Sequence, residues 1–180
     1  YDPKNLSGLI GAQPASPLTM ASAFATFANE GTYCEPQAIN EVKDRRGNTI
    51  RKFNANCEKA MDKDVANGVN YVLKQVLVDG SAWRRGIGLE DASAAKTGTT
   101  DNSTQTWTVG YTRGLSTASW VGNLNLGSRS LNNLSINGKA LDYVDGATYA
   151  GGQWQQYMKA QAKNYNTKKF NKPSEKVLGT

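Results

Sequence analysis

The apolar positions of the chain fall into helical stretches at both ends and alternating stretches between them. Ser16-Pro17-Leu18-Thr19 places a hydroxyl before a proline, the grammar of a helix start, and Met20, Phe24 and Phe27 with Ala21, Ala25 and Ala28 then recur at helical spacing as far as Gly31. The spacing predicts a well-buried helix that ends on a left-handed glycine. A second helix is predicted from about Asp62 to Val78, with Val65, Val69, Val72, Leu73, Val76 and Leu77 as its apolar stripe and Asp79-Gly80 as its stop. Between the two, Cys34 to Cys57 alternates like a two-stranded ribbon about Asp44-Arg45-Arg46-Gly47. Three strands follow, Ala94 to Thr99, Thr106 to Thr112 and Ser116 to Gly122, joined by short polar turns. After a loop rich in Gly, Asn and Ser, to about Gly152, a last helix carries Trp154, Tyr157, Met158 and Gln161. An antiparallel sheet with flanking helices makes the predicted fold α+β, not a βαβ repeat.

The ribbon has a corollary. If it turns between Asp44 and Gly47 in one continuous register, Cys34 lies opposite Cys57, near enough for a disulfide when both side chains share a face. Two unpaired thiols are the alternative. The symmetric placement about the turn favours the disulfide, which would imply an oxidising compartment outside the cytoplasm.

Composition narrows the chemistry. The 180 residues fit one globular domain of ordinary size. They include no His, which excludes Ser-His-Asp and Cys-His catalysis and any zinc site that needs imidazole within this chain. Two cysteines cannot by themselves build a metal knuckle, so no metal or cofactor is expected. No apolar run is long enough to span a membrane. The net charge of +6 is uneven: from Lys159 to Thr180 there are six lysines against Glu175, so the stretch 159–180 reads as a basic tail, most simply a solvated end, on a nearly neutral body. No aromatic-rich basic motif supports nucleic-acid binding.

One segment carries chemical grammar, Lys96-Thr97-Gly98-Thr99-Thr100. In an extended strand Thr97 and Thr99 point the same way, so two hydroxyls can converge on one anionic group. Lys96 adds a cation, and Gly98 lets a ligand backbone come close enough to pair with the strand. Lys-Thr-Gly is the third motif of penicillin-binding proteins and serine β-lactamases, although a tripeptide alone is weak evidence.

The context of the motif is more specific. The helix Pro17 to Gly31, the Lys96 to Thr100 strand, Trp107-Thr108-Val109-Gly110-Tyr111-Thr112 with Trp120-Val121-Gly122 after it, and Gly151-Gly152 with Trp154, Tyr157 and Met158 occur in family order. In these landmarks the chain resembles the C-terminal part of the transpeptidase domain of class A, bifunctional penicillin-binding proteins, with residues 1–158 as the domain portion. The resemblance implies a β-lactamase-like fold, incomplete in this chain. It implies a serine-type D,D-transpeptidase that cross-links peptidoglycan stem peptides, is trapped by β-lactam antibiotics, uses no cofactor, and works on the outer face of the bacterial cell membrane through an anchor outside this chain. By position, Lys96 and Thr99 are the implied catalytic residues: Lys96 supplies the positive field and aids proton transfer, and the Thr99 N–H is an oxyanion-hole donor. Thr97, Gly98 and Thr99 are the implied substrate-binding residues.

The family also needs a Ser-x-x-Lys nucleophile motif and a Ser-x-Asn, both upstream of the first helix seen here. Ser93-Ala94-Ala95-Lys96, Ser130-Leu131-Asn132 and Ser135-Ile136-Asn137 match these patterns, but about one match to each is expected by chance in such a chain. Ser93 and Lys96 would also point to opposite faces of a strand. All three are rejected, and the nucleophile is expected on an upstream segment. The alternatives are a non-catalytic module that kept the fold, or a fragment of a monofunctional penicillin-binding protein or serine β-lactamase. Trp107, Trp120 and Trp154 are read as core aromatics, and Arg84 and Arg85 as solvated loop charge.

Overall fold

Proline sets the first boundary. In the structure, a computed structural model that describes residues 6–89, 93–123, 129–136, 138–165 and 168–179, α1 (Pro17–Ala28) starts at Pro17 with Ser16 as its N-cap, the Ser16 hydroxyl accepting from the Thr19 N–H. It stops where Glu30 and Gly31 take positive φ, 55° and 90°. Gly31 is required there, because a Cβ would lie 2.4 Å from the Met61 carbonyl oxygen.

The ribbon that follows is two short ladders instead of one. β1 (Thr32–Cys34) pairs with β4 (Cys57–Lys59), and Cys34 stands opposite Cys57 in the register read from the sequence. The two are joined in a disulfide. Nearer the tip, β2 (Glu41–Lys43) pairs with β3 (Thr49–Lys52) in a different register, with a bulge between Val42 and Lys43. The cause is the turn: the Asp44 carboxylate accepts from the backbone N–H groups of Arg46 and Asn48, which fixes an Asx-type loop in place of a simple two-residue hairpin.

Helix α2 (Lys63–Val78) differs from its predicted stripe. Its buried positions are Ala66, Asn67, Asn70 and Leu77, whereas Val65 and Val72 are exposed. Two asparagines replace apolar side chains on the inner face, and Asn70 has a structural task there. Its amide donates to the Phe27 carbonyl, and its Oδ1 accepts from the buried Tyr111 hydroxyl. Periodicity of apolar residues cannot reveal such a face.

The main sheet is the predicted meander, β5 (Ala94–Thr99), β6 (Gln105–Tyr111) and β7 (Ser116–Gly122), antiparallel in the order β5-β6-β7. Successive residues of β5 feed opposite faces. Ala94 joins Tyr111, Phe24 and Phe27 on one side, and Ala95 joins Trp154, Met158 and Ile87 on the other. A small hairpin, β8 (Ser135–Ile136) and β9 (Lys139–Ala140), follows. The last helix starts earlier than expected, with a π-helical turn at Gly146–Ala150 running into α3 (Gly151–Gln161). Asp145 and Thr148 close a reciprocal capping box at its start. Trp154 is fully buried against the sheet, its indole N–H donating to the Gly110 carbonyl at 3.2 Å. Trp107 and Trp120 are only half-buried and lie 6.5 Å apart on the sheet surface, so of the three tryptophans Trp154 alone is core.

The basic stretch is not a free end. Phe170 stacks edge-on to Tyr111 at 5.5 Å, and the Ser174 N–H donates to Asp64 on α2 at 2.7 Å. The short helix α4 (Glu175–Leu178) follows, with Val177 packed over Gly68. The lysines of residues 168–176 stay exposed while the backbone between them is anchored.

Candidate active-site edge

Strand β5 lies at the edge of its sheet, and the two halves of the strand differ. Ala94 and Ala95 are buried, whereas Lys96 and Thr99 are exposed and Thr97 and Gly98 half-exposed. The Thr100 N–H donates to the Gln105 carbonyl at 3.0 Å, and Thr97 and Thr99 stand opposite Thr108 and Thr106. Inward and outward backbone groups alternate along an antiparallel strand, so the N–H and C=O groups of Thr97 and Thr99 face away from β6, along the free edge.

The side chains gather on the same edge. Lys96 leaves the opposite face of the strand from Thr97, yet its ammonium reaches the Thr97 carbonyl at 2.6 Å. The Thr97 hydroxyl shares a hydrogen bond of 3.1 Å with the Ser81 hydroxyl, in the loop after α2. The Thr99 hydroxyl accepts from the Gly146 N–H at 3.0 Å. Thr100 takes no part, since its hydroxyl is held in the β5–β6 turn by the Gln105 N–H and the Thr104 hydroxyl. A Cβ on Gly98 would meet the Trp107 Cβ at 3.5 Å, an ordinary contact. The chain's own packing therefore does not demand glycine at this position. Two outward N–H groups, two hydroxyls and an ammonium on an open edge form a donor-rich surface suited to a carboxylate on an extended peptide.

Of the rejected serines, Ser93 and Ser130 have other partners. Ser93 is fully buried, and its hydroxyl accepts from the Leu89 N–H. Ser130 and Asn132 brace the loop before β8, the Ser130 hydroxyl accepting from the Asn132 N–H and the Asn132 side chain from the Val144 N–H. Asn137 lies outside the described residues, as do residues 90–92. Arg84 and Arg85 are exposed. Among the described residues no cluster of Cys, Asp and Glu could hold a metal ion, and no helix is long and apolar enough to cross a membrane.

Ser81 and Gly146 are not evident from the Lys-Thr-Gly run. For Gly146 a signal existed, because Asp145-x-x-Thr148 is a capping pattern that marks a helix start there. Ser81, a lone hydroxyl after a helix stop, carried none.

The sequence profile of the penicillin binding protein transpeptidase domain matches residues 3–144. The chain belongs to this family. Penicillin-binding protein 1A of Aquifex aeolicus (strain VF5) is 28% identical over 169 residues, which are 94% of this chain and 22% of that protein. Penicillin-binding protein 1A of Mycolicibacterium smegmatis is 37% identical over 131 residues, 67% of this chain and 16% of that protein. The solved structure of the penicillin-binding protein PonA1 from Mycobacterium tuberculosis superposes with a TM-score of 0.71 at 32% identity, covering 88% of this chain and 41% of that one. The penicillin-binding transpeptidase fold is thus present, and the 1A-type relatives agree with the class A subtype read from the landmarks. The chain spans about a fifth of the length of these curated relatives.

Proposed function

We propose that this chain supplies the substrate-binding strand of a peptidoglycan D,D-transpeptidase whose nucleophilic serine, in a Ser-x-x-Lys helix, lies on an upstream segment. The observation that carries the reading is the free edge of β5. There the outward backbone of Thr99 and the hydroxyls of Thr97 and Thr99 are presented beside the Lys96 ammonium.

In this reading the D-alanyl-D-alanine end of a stem peptide lies along β5 as an added strand, and its terminal carboxylate is held by the Thr97 and Thr99 hydroxyls in the field of Lys96. The upstream serine oxygen attacks the penultimate D-alanine carbonyl. The Thr99 N–H and the serine's own N–H stabilise the oxyanion, the C–N bond breaks, and D-alanine leaves with the proton. An amine of a neighbouring stem then attacks the ester; the C–O bond breaks, the cross-linking amide forms, and serine regains its proton. β-Lactams enter the same way and stay as the acyl-enzyme. The site works on the outer face of the cell membrane, where the Cys34–Cys57 disulfide can persist.

Labelled penicillin tests this. The 180-residue chain alone is expected to form no covalent adduct, and a longer polypeptide that includes the Ser-x-x-Lys segment is expected to form one on that segment. An adduct on Ser93 of the isolated chain overturns the reading; a labelling-negative longer polypeptide makes the chain a non-catalytic module of the same fold.

A further inference from the structure

Each of the two threonine hydroxyls on the β5 edge is held by a group outside the motif. Thr97 is engaged by Ser81, 16 residues earlier. Thr99 is engaged by the backbone of Gly146, 47 residues later. A hydroxyl carries one proton and two acceptor lone pairs. Because Gly146 can only donate through its N–H, Thr99 Oγ1 is fixed as acceptor on that side and its own proton is left to point elsewhere. Ser81 and Thr97 can exchange roles, and an anion on the edge selects the arrangement in which Ser81 donates to Thr97 and Thr97 donates to the anion.

Gly146 is itself fixed. Its carbonyl accepts from the buried Thr108 hydroxyl at 2.6 Å, which ties the turn to β6. A Cβ at this position would fall 2.5 Å from the Trp107 carbonyl oxygen and 2.7 Å from that of Gly98. The peptide therefore lies flat across the strand pair, as no other residue could. The Asp145–Thr148 capping box holds it from the other side, and Ala147 is buried in the same cluster as Ala95 and Trp154. The hydrogen bond to Thr99 is thus made by a braced group.

We propose that Ser81 and Gly146 are positioning residues, which orient the Thr97 and Thr99 hydroxyls as donors to the carboxylate of the bound peptide or β-lactam. The inference rests on the carboxylate-binding role given above to the two threonines. It places the specificity of the site for a free carboxylate partly in the loop after α2 and in the turn before α3.

The test uses the longer polypeptide with its Ser-x-x-Lys segment and two probes, a penicillin and the same penicillin esterified at its carboxylate. The readout is the second-order rate of acylation. Loss of one hydrogen bond that orients a donor to a charged group corresponds to about a 3–10-fold change. Ser81→Ala is expected to slow the acid by that factor more than the ester, and Ser81→Thr to restore the acid rate. In a Thr97→Val background Ser81→Ala is expected to cost nothing further. Gly146→Ala is expected to give a larger loss on the acid; because it also strains the packing, Thr108→Val, which frees the Gly146 carbonyl, serves as the second variant with the same acid-selective signature. If Thr97→Val discriminates acid from ester but Ser81→Ala and Thr108→Val do not, the positioning role is overturned. If Thr97→Val itself does not discriminate, the carboxylate role of the threonines falls, and the positioning inference with it.

Discussion

The two halves of β5 are the instructive comparison. Ala94 and Ala95 are fully buried, each in a different apolar cluster, while Lys96 to Thr99 carry polar groups to a free edge. One strand, with one register to β6, thus serves as core at its start and forms the proposed site at its end. The buried half fixes the phase of the exposed half. A one-residue slip would send the Ala95 Cβ into the wrong cluster and turn the Thr97 and Thr99 hydroxyls away from their partners. The polar end takes its phase from the two alanines, and the Ser81 and Gly146 contacts then hold its hydroxyls.

The largest effect should come from breaking the buried half. Trp154 fills the cluster under Ala95, and Gly110 has no Cβ because one would lie 2.5 Å from the Trp154 ring. Trp154→Ala is expected to destabilise the chain by about 3–5 kcal/mol, read as a lower denaturant midpoint. The site half should respond the opposite way. Lys96→Met keeps the stem and removes an exposed charge, so stability should move by no more than about 0.5 kcal/mol. Acylation of the longer polypeptide by penicillin should fall about 100-fold, the scale of losing one preorganised charge or donor at an oxyanion. A Lys96→Met protein that loses stability but keeps its acylation rate would erase the distinction between the halves.

The same division explains what was legible in the sequence. Helix α1, the three-strand meander and the Lys96 to Thr100 motif could be read because local signals agree with the fold there: a proline after a serine cap, alternation, polar turns. The Cys34–Cys57 pairing was legible because the ladder nearest the disulfide keeps the register counted from the turn, even though the tip does not. Side chains that bond across long separations were hidden. Asn70 of α2 is buried because it bridges Phe27 and Tyr111, and Ser81 and Gly146 reach β5 from 16 and 47 residues away. The lysine-rich end looked solvated because charge dominates it, yet Phe170 and Ser174 anchor it. Periodicity reports apolar faces; it does not report polar partners supplied by tertiary structure.

The smallest effect sharpens the comparison at the Ala94 side, where charged groups join the elements that surround the cluster of Ala94, Tyr111, Phe24 and Phe27. Glu30, at the end of α1, pairs with Lys63 of α2 at 2.9 Å and with Arg113 of the β6–β7 turn at 3.1 Å, and it accepts from Asn171 of the returning C-terminal stretch. The hydrogen bond from Lys63 is the main cause that holds its carboxyl below the usual 4.5, helped by the Lys63 and Arg113 charges and Asn171, and opposed by partial burial. A carboxylate with a depressed pKa in the folded state contributes stability that is complete above its unfolded value and is lost as pH falls through the folded one. Lys63 is largely exposed, so its share is screened, and Glu30→Gln is expected to cost about 1 kcal/mol at neutral pH. The gap between the two proteins should close as the pH is lowered from about 5 through the acid limb, because a protonated Glu30 carboxyl and the glutamine amide of the variant are then nearly equivalent. Urea midpoints of both proteins across that range check it. A gap that stays constant with pH would mean that the charge of Glu30 contributes nothing, and that the Ala94 side is held by its apolar contacts and the Asn70 hydrogen bonds without help from ion pairs.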